Sequence, residues 1–286
     1  KCTKIFIDSP EKSDIRAILQ EVKPDLIFNL SGMSSVSESY LDEVTCRQAN
    51  LDSVVHLLEA VSKVNLKDKV RIYQASSSEM FGKVEKVPQN ELTEFNPISP
   101  YGKYKAQAHE ICKEYRERKG YFISCGIMFN HESEKRDTKF VSRKITKTVA
   151  EIKLGGSNSL TLGNLEARRD WGFAGDYVKA MKKMLEVDNP TDYVISTGVS
   201  RSVLDFVSAA FRTVELEEKM EVYLHSSVDL QEGIDIAQKR FEAQQRAKAA
   251  QDELNWRPTL GFDDIVSRMV NEDIRLLEHD NLNGVN

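Results

Sequence analysis

The sequence predicts an α/β fold built on a parallel sheet. Short apolar runs of strand length alternate with amphipathic stretches of helical length, as in successive βα units. A hydroxyl cluster, Ser76-Ser77-Ser78, follows the strand-like run 70–75. That is the carboxyl end of a strand, where open parallel sheets place ligands. With 286 residues the chain buries a sizeable core and holds one large domain or two smaller ones.

The elements follow in order. Ile5-Phe6-Ile7 reads as a strand end, and Ser9-Pro10 caps and opens a helix running to Val22. After Pro24, Leu26-Ile27-Phe28-Asn29-Leu30 is a compact buried strand. A helix over about 42–62 carries Leu57, Leu58 and Val61 among its apolar positions, and the strand over 70–75 comes next. The stretch 83–100 contains Pro88, Pro97 and Pro100 and reads as an irregular surface excursion. A helix over about 101–119 leads to a strand over 123–129. From 132 to 147 basic and polar residues dominate and the strands shorten. Tyr193-Val194-Ile195-Ser196 is a further sheet strand, helices cover about 203–213 and 262–277, and the charged run 238–253 is a solvated helix. With no internal repeat and no flexible linker, the two halves are expected to interleave.

Charge and composition narrow the partners. A net charge of −5 and a pI of about 5.7 give no basic field for nucleic acid or anionic lipid. No apolar run approaches the ~20 residues that span a bilayer. Cys2, Cys46, Cys112 and Cys125 are scattered, without CxxC or an adjacent histidine pair, so they read as free thiols rather than a metal site. Free thiols point to a reducing, cytoplasmic compartment.

The chemistry sits in two strings. Glu79 follows the serine cluster, and Tyr101 and Lys105 stand i, i+4 at the start of a helix, projecting from one face. An ammonium beside a phenol favours the phenolate, so Tyr101 is expected to have a lowered pKa and to serve as a base towards a sugar hydroxyl. A serine can hydrogen-bond the same oxygen. Glu79 adds a second proton-transfer group, which suggests oxidation followed by elimination rather than simple alcohol oxidation.

These residues resemble the extended short-chain dehydrogenase/reductases and, within them, the GDP-mannose 4,6-dehydratase family. The matching strings are Tyr73-Gln74-Ala75-Ser76-Ser77-Ser78-Glu79-Met80-Phe81-Gly82, Ser99-Pro100-Tyr101-Gly102 with Lys105, and Phe129-Asn130-His131-Glu132-Ser133. Phe140-Val141-Ser142-Arg143-Lys144-Ile145, Leu162-Gly163-Asn164-Leu165 with Arg169-Asp170-Trp171-Gly172, Asp176-Tyr177-Val178 and Leu254-Asn255-Trp256-Arg257-Pro258 continue the match. The resemblance implies a Rossmann-like, doubly wound parallel sheet with a smaller C-terminal α/β substrate domain. Residues 1–134 would form the dinucleotide-binding domain and 135–286 the substrate domain, with about 171–198 returning to the first.

It also implies roles. Tyr101 would take the proton from the hexose 4-hydroxyl as hydride passes to NADP, with NAD not excluded. Lys105 would hold the tyrosine and the nicotinamide ribose, Ser77 would bond O4, and Glu79 would remove the C5 proton as water leaves C6. The implied product is GDP-4-keto-6-deoxymannose, with a place in GDP-fucose biosynthesis. Asp8, Ser9, Leu30, Ser31, Gly32 and Ser34 would line the cofactor, with Asn130 and His131 near the nicotinamide. Ser78, Asn130, Lys144 and Arg169 would hold the nucleotide-sugar substrate, and a homodimer or homotetramer is expected.

The chain departs from the family pattern in places. No G-x-x-G-x-x-G phosphate loop occurs. The family's first strand, first helix and second strand would precede Lys1, so the chain is expected to be a fragment of a longer protein. In a 3-2-1-4-5-6 sheet that leaves a gap between the strands at Ile5 and Leu26. Ser77 stands for a common threonine, Ser35 for a histidine, and Asp52-Ser53 for Gly-Thr. Glu134-Lys135-Arg136-Asp137 replaces a Pro-Arg-Arg-Gly type of loop, and Arg240-Phe241 is the nearest approach to an arginine-proline nucleotide clasp. Two alternatives remain at this stage: a non-catalytic sugar-nucleotide-binding relative, and a dehydratase or epimerase of another NDP-hexose.

Overall fold

The computed structural model describes residues 12–84, 87–226 and 248–282. Helix α1 (Lys12–Val22) leads to strand β1 (Leu26–Asn29). Strand β2 (Arg71–Ser77), strand β3 (Phe122–Met128) and, much later, β7 (Asp192–Ile195) complete a four-stranded sheet in the order β1-β2-β3-β7. All three pairings are parallel, with Leu26 opposite Arg71, Arg71 opposite Phe122 and Cys125 opposite Asp192. The strand expected at Ile5–Ile7, and with it the expected gap beside Leu26, lies outside the described residues.

Side-chain alternation explains why helices cover both faces. Ile72, Ile123 and Cys125 point to one face and pack with Ile15 and Leu19 of α1, Val54 and Leu58 of α4 (Ser53–Lys63), and Ala108 and Cys112 of α5 (Pro100–Lys119). Tyr73, Met128, Tyr193 and Ile195 point the other way, onto Tyr177, Ala180 and Met184 of the segment around α7 (Ala174–Lys183) and onto Ala250, Leu254 and Trp256. Trp256 is tied down by its indole N–H, which donates to Asp176 O at 2.8 Å.

One expected helix carries an irregularity and gains a neighbour. The helix expected over 42–62 is found as α3 (Glu43–Arg47), a π-type turn over Gln48–Asp52 and α4 in unbroken succession, and a short helix, α2 (Val36–Leu41), precedes it. The break between α2 and α3 is at Asp42 (φ −141°, ψ 82°), whose carboxylate accepts from Thr45 N at 2.9 Å and so caps α3.

A second core lies beyond the sheet. Helices α6 (Val141–Lys153), α8 (Val203–Thr213) and α11 (Phe262–Leu282) enclose Ile145, Val149, Phe206, Phe211, Val266 and Met269, with Trp171 of β6 (Arg168–Phe173) against them. Short strands frame it. β4 (Asn130–Glu132) pairs parallel with β6, β6 pairs antiparallel with β8 (Ser200–Ser202), and β5 (Leu160–Leu162) pairs with β9 (Leu224–Ser226). A short helix, α9 (Met220–Tyr223), follows α8, and of the expected helix over 238–253, Lys248–Glu253 is helical (α10) and the rest lies outside the described residues, as do Arg240 and Phe241.

Candidate active site

Strand β2 ends at Ser77, and the chain turns at once into a 3₁₀ turn over Ser78–Met80. The turn is capped from within, because Ser77 Oγ accepts from Glu79 N at 3.2 Å. Helix α5 begins alongside. Ser99 Oγ accepts from Gly102 N at 3.0 Å as the N-cap, and Pro100 supplies the first helical position. Gly102 is there for lack of room, since a Cβ would stand 2.5 Å from Glu79 O. One close backbone contact therefore places Tyr101 and Glu79 together.

Tyr101 is buried, and the Ser77 hydroxyl lies close enough to its phenol to lower the phenol's pKa. Lys105, one turn on, is buried too. Its Nζ lies 6.0 Å from the Tyr101 ring centroid and donates to Ala75 O at 3.0 Å. The expected lowering of the tyrosine pKa is not found in this arrangement. Burial pushes the Tyr101 phenol up to about 12, and the Ser77 hydroxyl only partly offsets it. Burial likewise pulls the Lys105 ammonium down to about 8. The ammonium addresses a backbone carbonyl rather than the phenol, so desolvation outweighs charge pairing.

The groups expected at the cofactor divide. Asp8 and Ser9 lie outside the described residues. Leu30, Ser31, Gly32 and Ser34 form an exposed strip after β1, with Ser31 Oγ donating to Asn29 Oδ1 at 2.6 Å. Gly32 has φ +145°, and a Cβ there would meet Asn50 Oδ1 at 2.5 Å and Lys105 Nζ at 3.2 Å. Asn50 is fully buried in the π-type turn and its Oδ1 has no partner among the described residues. Sequence reasoning missed Asn50, because the irregular turn that aims it inward has no periodic signature. Lys105 and this glycine strip fit a dinucleotide. Among the described residues the buried ammonium meets one hydrogen-bond acceptor, so N–H donors remain for a ribose.

A cleft opens beside these residues. Its walls include Ser78, Glu79, Asn130 and Arg169, all singled out from the sequence, and also Gln89 and Arg168, which were not. Arg169 is braced by donating to Arg168 O at 2.7 Å. The adjoining Asp170 is held by Thr197 N and Gly198 N at 2.9 and 2.7 Å. His131 lies just behind, its Nδ1 against Phe129 O at 2.8 Å and its ring stacked on Tyr177 at 4.8 Å. Burial pushes its imidazole down, so Nδ1–H donates and the ring stays neutral. Lys144 stands apart from the cleft walls. It is exposed on α6 and its Nζ donates to Thr161 O at 2.8 Å.

A parallel sheet whose carboxyl edge carries a serine, a tyrosine and a lysine in mutual reach, with a carboxylate on the adjoining turn, has the architecture of the extended short-chain dehydrogenase/reductases. Comparison of the fold agrees. RMD from Pseudomonas aeruginosa, complexed with NADPH, superposes with a TM-score of 0.83 at 19% identity, covering 96% of this chain and 90% of that one. DesIV, a dTDP-glucose 4,6-dehydratase from Streptomyces venezuelae with NAD bound, gives a TM-score of 0.77 at 16% identity, covering 96% and 79%.

Sequence is more specific. Residues 3–269 match the family model described as GDP-mannose 4,6 dehydratase. The chain is 41% identical to the GDP-mannose 4,6 dehydratases of Cricetulus griseus and Homo sapiens, over 94% of this chain and 76% of each relative. It is 38% identical to that of Sinorhizobium fredii, over 94% and 80%. The chain belongs to the GDP-mannose 4,6-dehydratase family.

Proposed function

We propose that the protein dehydrates GDP-mannose to GDP-4-keto-6-deoxymannose with NADP as cofactor, contributing to GDP-fucose biosynthesis. The observation that carries this reading is Glu79 on the wall of an arginine-bearing cleft, joined by the Gly102 contact to a Ser77–Tyr101–Lys105 set. The family supports GDP-mannose as the substrate, and the NADPH of the Pseudomonas structure supports the cofactor. NAD is the alternative.

Lys105 and the strip over 30–34 would hold the nicotinamide cofactor, which would supply acceptance of the C4 hydride and its return to C6. The protein's own groups manage the protons. Ser77 hydrogen-bonds O4, and Tyr101 accepts the 4-hydroxyl proton as the carbonyl forms. Lys105 Nζ favours the phenolate once it turns from Ala75 O towards the phenol, and it binds the ribose from the same position. The new 4-ketone acidifies C5–H, which Glu79 removes, and the C6 hydroxyl leaves as water with a proton. C5 then regains a proton as hydride reaches C6, so the sum is loss of one water without net oxidation. Arg168 and Arg169 complement the diphosphate, Ser78 and Asn130 hold the hexose, and His131 orders the nicotinamide side of the cleft. Lys144 serves the nucleotide end after a side-chain rotation away from Thr161 O.

We assign cofactor binding to the four-stranded sheet and substrate binding to the α6–α8–α11 half, with assembly as a homodimer or homotetramer in the cytoplasm. Among the described residues no helix is long and apolar enough to cross a membrane. The test is incubation with GDP-mannose and NADP, with mass spectrometry of the nucleotide sugar. Loss of one water is expected. Full turnover in a Glu79→Gln, Tyr101→Phe double variant, or product only from other NDP-hexoses, would overturn the reading.

A further inference from the structure

A buried polar chain continues along the face of α5 that carries the catalytic groups. His109 lies one turn beyond Lys105 and two beyond Tyr101, and it is 3% exposed. Its Nδ1 is 2.9 Å from Ser76 Oγ, and its Nε2 is 3.5 Å from Asp192 Oδ2. Arg116, further along the helix, forks both oxygens of Asp192 at 2.8 and 2.7 Å and also donates to Ile123 O at 3.1 Å. The thiols of Cys112 and Cys125 and the edge of the Phe95 ring, 5.1 Å away, close the site.

His109, Cys125 and Asp192 bring ligand-type atoms within 4.8 Å of one another, but the guanidinium fork engages both carboxylate oxygens, as in a charge network rather than a metal site. Burial opposes the imidazolium, whereas the Asp192 carboxylate favours it and pushes its pKa up. The Ser76 hydroxyl and Nδ1 share one hydrogen bond, and Nε2 faces the Asp192 carboxylate.

We propose that Ser76–His109–Asp192–Arg116 is a positioning chain that sets the distance between Ser77 and Tyr101. The geometry supports this at both ends. Ser76 adjoins Ser77 on β2, so a bond from α5 to Ser76 fixes the strand end beside the Tyr101 phenol. Asp192 sits opposite Cys125 on β7, and Arg116 holds it to α5 and to β3. The helix carrying Tyr101 and Lys105 is thus pinned to three strands by hydrogen bonds, those of Arg116 charge-assisted, which are more directional than the surrounding packing. A misplacement of order 1 Å between reacting groups can cost ~10²-fold in rate.

The kinetic arm of the test rests on the dehydratase reading, and a spectroscopic arm does not. The protein is labelled with 3-fluorotyrosine and the Tyr101 fluorine resonance is identified by its loss in Tyr101→Phe. Ser76→Ala and His109→Phe are each expected to shift that resonance. Each should also lower kcat roughly tenfold with KM for GDP-mannose within about twofold, and the double variant should fall no further than the worse single one. An unmoved resonance with kcat within about twofold of wild type in Ser76→Ala would overturn the proposal, whatever happens to Tm. Ser76→Ala loses one hydroxyl only and decides the matter even where His109→Phe does not fold. If the wild type gives no product from GDP-mannose, the functional reading fails and the fluorine arm alone decides the positioning chain.

Discussion

At the residue scale, burial dominates the two central side chains. Lys105 ordinarily titrates at 10.5, and burial pulls it down to about 8. The unfolded chain therefore binds more protons between those values, so stability rises with pH from 8 to 10.5. Below pH 8 the buried ammonium carries its full desolvation cost. Lys105→Met is expected to be more stable than wild type by about 2 kcal/mol at pH 7, after the lost Ala75 bond, with the advantage fading by pH 10.5. Urea unfolding at the two pH values measures it. The same variant should lose turnover, a trade of stability for function at one site. Glu79→Gln keeps shape and removes the base, and kcat should fall roughly 10²- to 10⁴-fold with KM little changed. Steady-state kinetics with GDP-mannose read this.

At the element scale, the site is a strand end and a helix start held by one contact. Gly102→Ala is a helix-favouring change by propensity, worth ~0.5–1 kcal/mol. Here the added Cβ would lie 2.5 Å from Glu79 O, a backbone atom with nowhere to go. We expect net destabilisation of about 1–2 kcal/mol and a fall in kcat as the Glu79 turn is displaced, checked by thermal melts and kinetics on one preparation. Strand β2 and helices α5 and α8 were legible from periodicity and caps, to within two residues at each end. The helix start at Asp42 was legible too, but the π-type turn over Gln48–Asp52 inside that helix and the short α2 before it were not, because neither leaves a periodic apolar signature.

At the scale of the whole molecule, the second core has an ionic brace. Arg143 of α6 donates to Asp273 of α11 at 2.8 Å through Nε and also bonds Glu134 O, while Thr146 donates to Asp273 at 2.7 Å. Asp273→Ala would leave a buried guanidinium without its carboxylate and should cost about 3–5 kcal/mol. Equilibrium denaturation tests this, and a Thr146→Val variant should cost much less, about 1 kcal/mol.

The departures noted in the sequence fall unevenly on this architecture. Ser77 retains a hydroxyl beside Tyr101, and Ser35 caps α2 by accepting from Glu38 N at 3.2 Å. The Glu134–Asp137 loop gains an ion pair from Glu134 to Arg268 at 3.0 Å.

Local spacing determined the chemistry. A carboxylate after a serine-ended strand, and a tyrosine four residues before a lysine, place themselves by the pitch of a strand and a helix, and the sequence carries that information within a few residues. The tertiary structure decided how those groups behave. Lys105 turns to Ala75 O, Tyr101 titrates high, and Asn50, Gln89, Arg168 and His109 arrive as neighbours. Desolvation and long-range contact depend on everything packed around a residue, such as the pairing of Arg116 with Asp192 across 76 positions, and no local pattern records that.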